Sequence, residues 1–169
     1  PVATFASQSM LPLWASLGMD VVVDTQESRL LHMTGTDVDQ DTLTEVRDAI
    51  GPRPVWVASS THEGEEETVL AAHKALLVDH PDLLLLLAPR HPNRGDQLEA
   101  MIAEAGLTSI RRSRDALPRT STQVYLADTL GEVGIWYSLC PLVFLGGSLR
   151  EIGGHNPFEV MQAGGAVLT

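Results

Sequence analysis

Four short stretches gather residue types suited to holding a phosphorylated ligand. The most glycine-rich runs from Gly146-Gly147-Ser148 to Gly153-Gly154-His155-Asn156-Pro157-Phe158-Glu159. A glycine loop leading into a helix start collects backbone N–H groups that can hold an anion. Asn156 suits the N-cap, Pro157 the first helical position and Glu159 the third, where a carboxylate favours the helix's positive end. One turn into the helix, the Glu159 carboxylate can accept hydrogen bonds from a ribose diol, as acidic residues do in dinucleotide-binding folds. The stretch therefore suggests a nucleotide site. The plainer alternative is that the glycines only make a tight turn and Asn156 only caps.

The second stretch is Pro89-Arg90-His91-Pro92, whose two prolines hold Arg90 and His91 in a restricted, extended backbone. Arg90 is a planar five-donor cation matched to a phosphate or a pyrimidine carbonyl, although a surface arginine in a loop is the bland reading. In the third, Asp128 to Gly134, Gly131 lets the backbone approach a ligand closely at the mouth of a helix. Asp128 and Glu132 equally suit capping of that helix. The fourth is Ser59-Ser60-Thr61-His62-Glu63-Gly64, followed by Glu65-Glu66-Glu67, which read as solvated carboxylates of a helical first turn. Its HEGEE lacks the second histidine of the HExxH zinc pattern. The alternating Asp37, Asp39 and Asp41 fail as a calcium loop, since Thr42 and Asp48 stand where glycine and glutamate are required. They read as acidic capping of the next helix, with Thr42 and Glu45 spaced as a capping box. No metal site is expected.

These stretches resemble the bacterial 3-deoxy-D-manno-octulosonic acid (Kdo) transferases, which move Kdo from CMP-Kdo onto the lipid A precursor. GGSLREIGGHNPFE looks like that family's signature, PRHP matches its motif, DTLGEV is close to its DTxGEL, and SSTHEGEEE is similar to its cleft-facing stretch. Phe158 stands where the family usually has Leu, Val160 where it often has Pro, and Val133 for Leu. The resemblance implies that Pro89 and Arg90 contact CMP, that the Gly131, Glu132 and Val133 backbone forms part of its pocket, and that Asn156, Pro157, Phe158 and Glu159 complete it. It also implies that Ser60, Thr61, His62, Glu63, Gly147, Ser148 and His155 face the cleft. Such enzymes are inverting, metal-independent glycosyltransferases of the GT-B kind, with two Rossmann-like halves facing across a cleft. This chain is similar to the C-terminal, donor-binding half. The catalytic glutamate, the contact with the lipid A precursor (lipid IVA) and the membrane contact belong to the other half, so no catalytic residue and no cofactor are expected here. The implied location of the parent is the cytoplasmic side of the bacterial inner membrane. A non-catalytic nucleotide-binding or protein-interaction module on the same fold is the alternative.

Strands and helices must alternate to position these motifs. Expected strands are Asp20–Asp24, Val55–Ala58, Asp82–Ala88, Ser109–Arg111, Gln123–Ala127, Leu142–Leu145 and Ala166–Leu168. Residues 25–33 read as weakly helical. A stronger helix ends near Ile50 at Gly51-Pro52, and another buries Val69, Ala72, His73, Leu76 and Leu77. A third carries Leu98, Met101, Ile102 and Ala105, and a fourth Ile135, Trp136 and Leu139. Arg112 to Thr122 reads as a polar loop with its arginines in solvent. The alternation calls for an α/β fold, a Rossmann-like parallel sheet flanked by helices. All four motifs follow strands, and ligands of such sheets bind beyond the strands' carboxyl ends.

At 169 residues the chain reads as one domain. Residues 1–52 form an N-terminal segment where the resemblance is weak, and Gly35 to Gln40 lack the family's lysine. Residues 53–169 form the nucleotide-sugar-binding part. The net charge of −11 argues against a nucleic-acid partner and against gripping an anionic membrane directly. The single cysteine, Cys140, excludes an internal disulfide and reads as a small buried residue. No run reaches the ~20 apolar residues of a membrane span, and the N-terminus lacks a signal peptide's pattern. Because the first residue is Pro1 and the last falls within a strand, the chain is expected to be a piece of a longer protein.

Overall fold

Runs apolar on both faces belong at a sheet's centre, and two such runs lie there. Val55–Thr61 (β3) and Leu84–Pro89 (β4) pair in parallel, Val57 opposite Leu86, and every residue of β4 is buried. The structure, a computed structural model, describes residues 2–4, 20–22, 38–114 and 116–169. The weak helix expected at 25–33 lies outside them. Val2–Thr4 (β1), Asp20–Val22 (β2), Ser109–Arg111 (β5), Val124–Leu126 (β6), Leu142–Leu145 (β7) and Ala166–Leu168 (β8) complete the sheet. Its order is β2-β1-β8-β7-β3-β4-β6-β5. The six strands from β8 to β5 are all parallel. The sequence reading did not foresee β1, which joins β8 antiparallel through Thr4 opposite Val167 and pairs parallel with β2.

Among the described residues five helices flank the sheet: Gln40–Ile50 (α1), Glu66–Leu76 (α2), Gly95–Glu104 (α3), Val133–Leu139 (α4) and Phe158–Gln162 (α5). Helix α1 turns Leu43, Val46 and Ile50 inward and packs against α4. Its cap differs from the expected Thr42–Glu45 box. Asp39 accepts from the Asp41 and Thr42 amides at 3.0 and 3.2 Å, because the helix begins at Gln40 and these are among its free first-turn N–H groups. Gly51, at φ 68°, ends the helix with its N–H on the Arg47 carbonyl.

Helix α2 is rotated from the expected face. It buries Glu66, Val69, Leu70 and His73, whereas Ala72 and Leu76 are exposed. Polar partners set that rotation, and hydrophobic periodicity does not report them. Trp56 donates its indole N–H to His73 Nδ1 at 3.1 Å, so the imidazole carries its proton on Nε2 and donates to the Gln123 carbonyl at 2.9 Å. Burial lowers the His73 pKa to about 4. The unfolded chain, with an ordinary histidine, takes up the proton first as pH falls below about 6.5. The stability His73 contributes is complete above that pH and is lost as pH falls toward 4, by about 2 kcal/mol at pH 5. Denaturation of wild type and His73→Gln at pH 7.5 and 5 checks this: the wild type should lose the stability over that interval and the variant should lose less.

Of the loop arginines expected in solvent, Arg119 is exposed, whereas Arg112 and Arg114 are paired with acids, as is Arg111 at the end of β5. Arg111 spans Asp96, Glu99 and Asp128, and Arg112 holds Glu132 at 2.8 Å. Arg114 holds Glu99 at 2.9 Å. Arg111 and Asp128 lie directly over Gly95, where any side chain would collide with both. Cys140 is buried, with its thiol pushed up to about 11 by that burial.

Candidate functional site

Strands β7, β3, β4 and β6 are neighbours in the sheet and run the same way. Each is followed by one of the four motifs, so all four loops emerge along one edge. Between the β4 and β6 loops lies a pocket of about 190 Å³, lined by Ser60, Pro89, Arg90, Gly131, Val133 and Trp136 among others. Pro89 ends β4 with its side buried, and the Arg90 amide donates to the Thr61 carbonyl at 3.0 Å, which holds the loop against β3. The Arg90 side chain is exposed. Among the described residues Arg94, Arg111 and Arg112 near this edge are paired with acids, Arg150 donates to the Gly64 carbonyl, and Arg90 is in no ion pair.

The β6–α4 loop supplies the opposite wall. Gly131 adopts φ 82°, which an L side chain resists, and so turns the backbone toward the pocket. The Glu132 side chain turns away. It accepts from Arg112 and from the Thr129 hydroxyl, and although burial would raise its pKa, these partners hold it below the usual range. Only the backbone of Glu132 is thus available to a ligand. Asp128 does not cap α4, since it accepts from the Ser113 amide, the Ser113 hydroxyl and Arg111. It ties the β5 turn to the base of the β6 loop.

Near the carboxyl end of β3 the backbone is strained. Ser60 has φ 55°, a left-handed conformation uncommon outside glycine, at a register shift between Ser59 and Thr61. Gly146 packs so closely on Ser60 and Thr61 that a side chain there would strike their backbone. Thr61 Oγ1 is buried without a hydrogen-bond partner. His62 Nε2 lies 2.8 Å from His155 Nε2, with the two rings 5° from parallel, and His91 stands edge-on to His62 at 6.0 Å. Glu63 is exposed.

Glu65 and Glu66, expected in solvent, are fully buried. Glu66 pairs with Arg94 at 2.7 Å. Glu65 accepts from the His62 amide at 2.9 Å and, across the sheet edge, from the Gly147 and Leu149 amides at 2.9 and 3.0 Å. Burial would raise its pKa, yet the three amides hold it below the ordinary carboxylate value. A single carboxylate therefore locks the β3 loop to the β7 loop. The sequence signal was a third acidic residue where dipole complementarity needs fewer, which is too weak to single out Glu65.

Within the β7 loop, Gly147 at φ 76° accepts the Gly154 N–H at 3.0 Å, folding the two glycine pairs together. Ser148 donates to the Leu145 carbonyl and is spent internally. Asn156 Oδ1 accepts from the Phe158 amide at 3.0 Å, but the helix begins one residue later than expected, so that Pro157 stands at the cap position and Glu159 is the second helical residue. Phe158 is partly buried against the core. Glu159 is exposed in the first turn of α5. The structure thus brings Ser60, Pro89, Arg90, Gly131 and Val133 into one pocket, while Asn156, Pro157, Phe158 and Glu159 stand on the neighbouring loop and do not line it. Among the described residues there is no group of three or more potential metal ligands, and no helix is long and apolar enough to cross a membrane.

A parallel sheet with four loops at adjacent carboxyl ends defines a Rossmann-like α/β domain. No family model matches the chain. It is 45% identical over 117 residues to a 3-deoxy-D-manno-octulosonic acid transferase of Haemophilus influenzae, covering 69% of this chain and 27% of that protein. It is 37% identical over 131 residues to a probable mitochondrial 3-deoxy-D-manno-octulosonic acid transferase of Arabidopsis thaliana, covering 76% and 29%. The crystal structure of the C-terminal CMP-Kdo binding domain of WaaA from Acinetobacter baumannii superposes with a TM-score of 0.68 at 36% identity, over 73% of this chain and 65% of that one. The chain belongs with the Kdo transferases and corresponds to their C-terminal domain. It spans less than a third of the length of the two curated relatives.

Proposed function

We propose that this domain binds CMP-Kdo and forms the donor half of an inverting Kdo transferase acting on the lipid A precursor. The observation that carries the reading is the unpaired guanidinium of Arg90 at the rim of a pocket walled by Pro89, Gly131 and Val133. In this reading Arg90 and the loop amides hold the phosphate, the Gly131 to Val133 backbone meets the cytosine, and Asn156 and Glu159 orient the ribose. The domain's catalytic contribution is electrostatic: it stabilises the phosphate of CMP as it departs. A base in the rest of the enzyme deprotonates the acceptor hydroxyl. The acceptor surface, the membrane contact and the position at the cytoplasmic side of the inner membrane likewise belong to the whole protein. By itself the chain should bind CMP without transferring Kdo, because the acceptor is not held and the proximity contribution, up to roughly 7–11 kcal/mol, is absent.

The ribose assignment is tested with Glu159→Gln. The variant should lose about 1 kcal/mol of CMP affinity and keep its affinity for 2′,3′-dideoxy-CMP, because the lost acceptor serves only the ribose hydroxyls. Calorimetry showing equal losses for both ligands would remove Glu159 from the ribose and leave it a role at the helix end.

A further inference from the structure

Among the described residues Ser60 is the one non-glycine residue in the left-handed region, at φ 55°. That conformation crowds the side chain against the backbone and persists only where the surroundings impose it. Three neighbouring elements impose it here. On one side the Ser59 carbonyl accepts the Gly146 N–H at 2.8 Å, and the Ser59 hydroxyl lies 2.8 Å from that of Tyr137 on α4. On the other, the fully buried Thr61 accepts the Arg90 N–H at 3.0 Å. Gly146 also lies directly against the Ser60 carbonyl and the Thr61 Cα, which leaves the residue between these anchors little freedom.

The strained residue coincides with a change of register. Ser59 pairs with Ala88, but the next pair is Thr61 with Pro89. Two steps along β3 therefore match one along β4, and Ser60 is the residue left over. An extra residue of this kind re-aims the chain beside a site. In an unshifted register Thr61 would stand level with Arg90, one strand step of about 3.3 Å from the observed pairing. The Arg90 amide would then lose its bond to the Thr61 carbonyl. The turn at Ser60 thus fixes where Arg90 begins, and Arg90 is the exposed cation that lines the pocket.

We propose that Ser60 is a positioning residue: its left-handed turn sets the offset between the ends of β3 and β4, and so places Arg90 at the pocket, through the backbone and not through the hydroxyl. This rests on the donor-binding reading above, in which Arg90 holds the phosphate. Two substitutions separate backbone from hydroxyl. Ser60→Thr keeps the hydroxyl, but a β-branched residue resists a positive φ. Ser60→Gly discards the hydroxyl and adopts the turn without strain. Calorimetry on the whole chain should show CMP binding weakened about fivefold in Ser60→Thr, well inside what a misplaced binding group can cost, and less in Ser60→Gly. In an Arg90→Ala background Ser60→Thr should cost no further affinity, a non-additivity that general destabilisation does not produce. Without any ligand, hydrogen exchange of the Arg90 amide should speed up in Ser60→Thr and stay slow in Ser60→Gly, because the bond to Thr61 belongs to the shifted register. If Ser60→Thr does not melt cooperatively, the glycine variant decides alone. A slow Arg90 amide with most of the affinity kept supports the backbone role, and a large loss of affinity with that amide still slow assigns the role to the hydroxyl and overturns the proposal. Wild-type affinity in Ser60→Thr, or a larger loss in Ser60→Gly than in Ser60→Thr, likewise overturns it and leaves the nucleotide reading intact. Failure of the wild type to bind CMP, with the Arg90 exchange behaving as expected, overturns the donor reading and leaves the offset set by Ser60 standing.

Discussion

Glu65→Ala is expected to destabilise the domain by about 3–5 kcal/mol, since it leaves three buried amide donors without an acceptor at about 1–3 kcal/mol each. The carboxylate is fully buried and is the shared acceptor for three amides on two loops. Alanine leaves the His62, Gly147 and Leu149 N–H groups facing each other in a space that water fills poorly. Glu65→Gln keeps the shape and one acceptor oxygen but turns an NH2 group toward an amide donor, so its loss should be intermediate. Denaturant titration measures both, and amide hydrogen exchange locates the effect. Gly147 and Leu149 should lose protection before the core strands do. The pH dependence has a fixed sign: because Glu65 is more acidic folded than unfolded, its contribution is present above the ordinary glutamate pKa and is lost as pH falls through the lower folded value. A variant as stable as the wild type, with unchanged exchange in the β7 loop, would show that the clamp is dispensable.

Arg90→Ala should weaken CMP binding by about 1.5–3 kcal/mol, the range for direct hydrogen bonds between a cation and a phosphate. His91→Ala should cost less, because its imidazole stands beside His62 and does not line the pocket. Stability should barely change in Arg90→Ala, since its side chain is exposed and is in none of the ion pairs that tie Arg94, Arg111 and Arg112. Affinity and stability are thus expected to respond to different residues, Arg90 for the first and Glu65 mainly for the second. Equal CMP affinity in wild type and Arg90→Ala would end the phosphate role.

The elements that position the site were legible because their signals are local. The Leu84–Leu87 run, the Leu142–Leu145 run and the Gly51 stop each announce themselves within a few residues. The turn bond from the Phe158 amide to Asn156 is likewise local. What escaped the sequence depends on partners far apart in the chain. Glu66 is buried because Arg94, 28 residues on, meets it; Glu65 because Gly147 and Leu149 do, more than 80 residues on. Both read as solvated, since a carboxylate in a helix's first turn has a sufficient local explanation. Arg112 and Arg114 were expected to repel one another into water, but Glu132 on the β6–α4 loop and Glu99 on α3 pair with them. The face of α2 turned the wrong way for the same reason: His73 is anchored by Trp56 and Gln123, and no hydrophobic period encodes those bonds.

The most direct test of the account is an amide chemical-shift map of the chain titrated with CMP. The largest perturbations should fall at Arg90, at Gly131 through Val133 and at Asn156 through Glu159, with a smaller response at Ser60 and Thr61. A map centred instead on the opposite end of the sheet, around Ile50, Arg53 and Asp82, where a second pocket opens, would contradict it.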